Sequence, residues 1–125
     1  MRKSLILLLG FGLASLPSAW GRAPVEIYLP ADAQVIAEES APGDFDGIYH
    51  LSGDLASIAA AAQRQAESRG YTLAQSDIGT DSATLLLEKG DHQVLMISLQ
   101  DTGDGIEYAV ELDHELSVNK RKALR

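Results

Sequence analysis

From Gly70 to Asp113 the chain alternates apolar and polar residues with period two, a pattern that commits this half of the sequence to a sheet. The spacing predicts strands over 71–76, 82–88, 93–100 and 106–113. They are separated by Asp77-Ile-Gly-Thr-Asp81, Lys89-Gly90-Asp91 and Asp101-Thr-Gly-Asp-Gly105, whose Asp and Gly residues supply hairpin turn angles. In the last strand Ile106, Tyr108, Val110 and Leu112 alternate with Glu107, Ala109, Glu111 and Asp113, giving one buried and one wet face. The strand before it differs, because Leu95, Ile97 and Leu99 load one face while Val94 and Met96 load the other. A strand apolar on both sides belongs in the middle of a sheet with both faces covered. Its second face calls for the N-terminal lead-in, the C-terminal tail or a second protein molecule, and Val94 and Met96 are the candidate interface residues.

Upstream of Gly70 the period changes to that of a helix over 54–69. Asp54 can cap the first turn, Leu55, Ile58, Ala59, Ala62 and Ala66 form one stripe, and Gly70 provides the left-handed stop, with Tyr71 folding back on the last turn. The four alanines at 59–62 let a helix lie close to a sheet but bury little area each. Further upstream, 33–39 and 45–52 read as strands joined by Ala41-Pro-Gly-Asp44. On the second of these, Phe45, Gly47, Tyr49 and Leu51 share one face, and Asp46, Ile48 and His50 the other. Alternation of Val25, Ile27 and Leu29 between Pro24 and Pro30 suggests an extended lead-in along an edge. The expected fold is α+β in two layers: one antiparallel sheet of about five strands with a single helix on one face, forming one domain over 22–113.

The ends carry the address. Met1-Arg2-Lys3 followed by the apolar run to Leu16, the helix-breaking Pro17 and the small residues Ala19 and Gly21 read as a signal peptide over 1–21, with Arg22 as the new N-terminus. Cleavage after Ala19 or Ala23 and an uncleaved tethering helix are the alternatives. In a Gram-negative source the expected compartment is the periplasm, with no stable membrane insertion after cleavage. Residues 114–125 end in Asn119-Lys-Arg-Lys-Ala-Leu-Arg125 and read as a disordered basic tail. The competing reading gives Lys120, Arg121, Lys122 and Arg125 a role on an anionic surface: lipid headgroups, nucleic acid or the acidic body of a neighbouring copy.

The full chain of 125 residues carries a net charge of −8, and loss of residues 1–21 takes it to −10, which argues against nucleic acid as a partner. Absence of cysteine excludes disulfides, thiolate sites and lipid attachment through an N-terminal cysteine. His50, His92 and His114 lack the spacing that pre-arranges metal ligands and read as three separate imidazoles. Asp101-Thr-Gly-Asp104-Gly-Ile-Glu107 clusters oxygen ligands but lacks the twelve-residue calcium-loop pattern, and reads as a hairpin loop. The stretch Asp44-Phe-Asp46-Gly47 is a weaker case of the same kind. No nucleophile elbow, zinc helix or phosphate-cradling glycine loop is present in the sequence.

Two segments carry a family resemblance. Tyr28-Leu-Pro-Ala-Asp-Ala33, and Gln63-Arg-Gln-Ala-Glu-Ser-Arg-Gly-Tyr-Thr-Leu73 at the close of the helix, together with a strand-strand-helix-strand-strand-strand order over 28–113, resemble a diffuse group of small exported bacterial proteins and lipoproteins of unknown function. The chain departs from that group in having Ala61 and Ala62 where aromatic residues are common, and in lacking an anchoring cysteine. The resemblance implies a fold and an exported address, but no activity, cofactor or site residues. The expected function is that of an exported, non-enzymatic module without a cofactor that acts by contact with an unknown protein partner or with itself. The alternatives are an inhibitor or chaperone-like partner of a periplasmic enzyme, and divalent-ion or small-ligand binding by the acidic turns.

Overall fold

The structure, a computed structural model, describes residues 23–114. Residues 1–21, read above as a signal peptide, and the tail cations Lys120, Arg121, Lys122 and Arg125 lie outside the described residues. Within them the strands are β1 (Gln34–Ala41), β2 (Asp44–Leu51), β3 (Thr72–Ile78), β4 (Ser82–Lys89), β5 (Gln93–Asp101) and β6 (Ile106–Asp113), with one helix, α1 (Leu55–Ser68), between β2 and β3. All six strands pair antiparallel in the order β1-β2-β6-β5-β4-β3. The α+β arrangement is the one the periodicity predicts, with two strands before the helix and four after it; the sheet has six strands against an expected total of about five, and the order of the resembled group has one strand fewer after the helix. The chain leaves β2 through α1 to the far edge, then meanders back until β6 lies against β2. That return places the doubly apolar strand β5 inside the sheet.

Local chemistry sets the boundaries. Ala41 and Asp44 face each other across a two-residue turn in which Gly43 takes φ 81°, the angle a proline-glycine turn requires at its second corner. Asp54 Oδ2 accepts from Ser57 N and from Ser57 Oγ, both at 3.0 Å, and so caps α1. At the other end Tyr71 N donates to Ala66 O and Gly70 N to Glu67 O, with Gly70 at φ 96°. This paired closure satisfies the last helical carbonyls and delivers Tyr71 to the core.

The core lies between the sheet and α1. On the helix side three rows cross the strands: Leu87, Leu95, Leu112 and Phe45; Leu85, Ile97, Val110 and Gly47; Ala83, Leu99, Tyr108 and Tyr49. Every one of these side chains is buried. The helix sits over β3, β4 and β5, presenting Leu55, Ile58, Ala59, Ala62 and Ala66, the stripe read from the sequence. Gly47 is small for a spatial reason, since a Cβ there would lie 2.5 Å from Tyr49 Oη. The Tyr49 ring therefore folds back over Gly47 to reach Glu38 on β1.

The lead-in departs from the expected edge strand. Pro24 O accepts from Ile27 N and Pro30 O from Ala33 N, so each proline opens a turn and no ladder forms. Ile27 enters the core while Val25 stays 62% exposed, which breaks the predicted alternation. Gln65 Nε2 donates to Val25 O and Tyr71 Oη to Glu26 Oε2, fixing the segment beside α1. Pro24 borders Phe45 and Leu112, and Tyr28 acts on Tyr108, so the lead-in extends the cover over the β2–β6 half that the single helix does not reach. It lies on the helix side and cannot roof the opposite face.

Because Ala62 is fully buried against the leucine rows, Ala62→Leu should lower unfolding free energy by about 1–3 kcal/mol through overpacking. The same change at exposed Ala60 should stay within ~0.5 kcal/mol. Urea denaturation of the two variants checks the difference.

Candidate functional site

The sheet face turned away from α1 is built by the alternate residues of each strand, and its composition follows from the register. One row carries Glu88, Val94 and Asp113. The next carries Leu86, Met96, Glu111, Asp46 and Glu39, and the next Thr84, Ser98, Ala109, Ile48 and Ala37. A last row holds Ser82, Gln100, Glu107, His50 and Gln34. Apolar side chains thus occupy the middle, acids gather toward the Asp113 end, and hydroxyl and amide groups toward the Glu107 end. No described segment outside the strands lies over this face, since α1 and the lead-in both join the opposite core.

The two candidate interface residues are both on this face, but in different states. Met96 is half-buried, whereas Val94 is only 2% exposed although it stands outside the main core cluster. Leu86, Ile48 and Ala109 join Met96 as half-buried apolar groups. Leu86 was legible in principle, since three consecutive leucines, Leu85 to Leu87, place one on each side of the sheet in turn. A depression of about 130 Å³ is lined by Gln75, Asp77, Thr84, Leu86 and Met96. A second, of about 430 Å³, runs along Ser82, Thr84, Ser98, Gln100 and Glu107. Both are open hollows on a pleated surface.

The histidines separate. The His50 ring packs against Gly105 at the β5–β6 loop, opposite Glu107. His114 lies past the other end of β2, where its backbone N donates to Asp44 Oδ1 at 3.0 Å, and its Cβ crowds Gly43. His92 occupies the β4–β5 turn at that same end. Among the described residues no three His, Asp or Glu side chains gather into a metal-binding group. In the acidic loop Asp101 Oδ1 accepts from Gly103 N and Asp104 Oδ1 from Thr102 Oγ1, so both carboxylates order their own turn.

The tyrosines sit on the core side. Burial first, then the Glu38 carboxylate that accepts the Tyr49 hydroxyl at 2.7 Å, push Tyr49 well above the ordinary tyrosine range. Burial and Glu26 do the same to Tyr71, and burial to Tyr108. Tyr108 Oη is buried with no hydrogen-bond partner among the described residues. Groups held protonated in this way are poor acid–base catalysts near neutrality. Compared with known proteins, the chain matches no family model, no curated protein and no solved structure.

Two outcomes follow from the tyrosines. Tyr49→Phe removes a partner from Glu38 and should cost about 1–2 kcal/mol of stability, whereas Tyr108→Phe removes an unpaired hydroxyl and should leave stability unchanged or slightly raised, as urea melts would report. A folded-state pKa above the unfolded value of about 10 means that the native state holds the extra proton. Stability from these three groups is therefore complete below that pH and falls above it. In an alkaline titration their ionisation, read as phenolate absorbance, should coincide with loss of circular dichroism and not precede it.

Proposed function

We propose that the chain is an exported, non-enzymatic module that acts by protein–protein contact through the sheet face opposite α1, self-association being one such contact. The observation that carries this reading is the central strand β5, which places Met96 beside Leu86 on a face that neither α1 nor the lead-in covers. An apolar centre bordered by acids is the surface pattern of a contact patch rather than of a reaction cleft. The short basic start and apolar run of residues 1–16 support export to the periplasm, and none of the described helices is long and apolar enough to cross a membrane.

Light scattering after size exclusion tests the contact. The protein lacking residues 1–21 should gain mass as its concentration rises to high micromolar values, and Met96→Glu should abolish the gain. A strict monomer removes self-association. The proposal then requires a stoichiometric partner that co-purifies from the native periplasm and is lost with Met96→Glu, and it fails without one. Mass spectrometry of the periplasmic protein should find Arg22 at its N-terminus.

A further inference from the structure

We infer that the open face meets a second copy of this chain, laid face to face with the twofold axis running along an oblique apolar stripe, so that the acidic end of each copy lies over the hydroxyl and amide end of the other. The inference rests on the reading of that face as a contact surface and adds what meets it and in which orientation.

The register draws the stripe. Leu86 on β4 and Met96 on β5 stand in one row, and Ala109 on β6, Ile48 on β2 and Ala37 on β1 in the next, so the apolar groups step down by one row as they cross the sheet. Leu86, Met96, Ala109 and Ile48 are each half-buried, with no described segment over them. On one side of the stripe lie Glu88, Asp113, Glu111, Asp46 and Glu39. On the other lie the hydroxyl and amide groups of Ser82, Thr84, Ser98 and Gln100, where Glu107 and, from β3, Asp77 are the acids.

Symmetry selects the arrangement. A twofold contact sets one patch against itself, so the patch must complement its own copy. Two axes within the contact plane put stripe on stripe. The axis across the stripe also sets the acidic rows against each other, which like charges disfavour. The axis along the stripe exchanges its two sides, so that carboxylates face hydroxyl and amide donors. Asp46, Glu88, Glu111 and Asp113 already have interaction partners, so the acids choose the orientation and burial of the stripe supplies the attraction.

The face is also large enough. Six strands about 4.8 Å apart, each roughly 26 Å long for eight residues, present on the order of 700 Å². Two such faces in contact bury about 1,400 Å², inside the range of roughly 1,200–2,000 Å² at which specific interfaces become stable.

The chain contains no cysteine, so single thiols report position without interference. In the protein lacking residues 1–21, Ser82→Cys and Asp113→Cys mark opposite ends of the face, and a bis-maleimide spanning about 10 Å matches the separation of packed sheets. A mixture of the two variants should yield a covalent dimer with one copy of each, and linking should be lost when either variant is treated alone. A second measurement needs no substitution: one molar sodium chloride should shift dimerisation to lower protein concentration, because it screens the repulsion between two chains of net charge −10 and leaves apolar burial intact. A monomer at every concentration, salt that weakens association, or Asp113→Cys linking to itself as readily as to Ser82→Cys would overturn the inference. A different protein that co-purifies and is lost with Met96→Glu would then leave the reading of the face as a contact surface standing, whereas loss of both removes that reading too.

Discussion

The contact between an alanine-faced helix and three strands governs the rest of the molecule. Ala59, Ala62 and Ala66 bring α1 near enough for the leucine and isoleucine side chains of β4 and β5 to fill the layer between them. A helix with larger side chains on this stripe would stand further off and bury more area of its own. One helix is also narrower than six strands spaced nearly 5 Å apart. The β2–β6 half must then be covered by something else, and the turned lead-in with Ile27 and Tyr28 does this. Both layers of cover are thus spent on the same side.

The tyrosines show how the two halves of the core differ. Where α1 sits, the rows are aliphatic; under the lead-in, Tyr49 and Tyr108 face each other with ring centres 6.2 Å apart. Large rings fill the volume that a short irregular segment leaves, but each brings a hydroxyl. Tyr49 discharges its own on Glu38 at the sheet edge, which the absence of a side chain at Gly47 makes reachable. Tyr108 lies deeper, where no such edge is within reach, and its hydroxyl is left unpaired among the described residues.

Much of this was legible because period and caps are local. The limits of α1 follow from Asp54 and Gly70, its buried stripe from residue spacing, and the four later strands from alternation and turn residues. The lead-in differs from the extended segment that the alternation of Val25, Ile27 and Leu29 suggests, because Pro24 and Pro30 each open a local turn and Gln65 of α1 holds the Val25 carbonyl, a contact that no local pattern encodes. Strand order depends on where the helix deposits the chain, so the pairing of β2 with β6 was not written in either segment. The candidate face was legible at Val94 and Met96. Its acidic end was not, because Asp46, Glu88 and Glu111 come from three strands whose alignment only the register supplies.

That alignment bears on how a further strand or a second sheet could meet this one. Both edge strands carry an irregularity, at Val35/Ala37 on β1 and Leu73/Gln75 on β3, which disturbs the ladder a new strand would need. Addition of a strand at either edge is therefore disfavoured. On the face, acids gathered at one end of an apolar centre disfavour an identical copy laid on in the same orientation, since like charges would then meet. The contact proposed for this surface would accordingly be selected by charge at its acidic end and held by burial at its apolar centre.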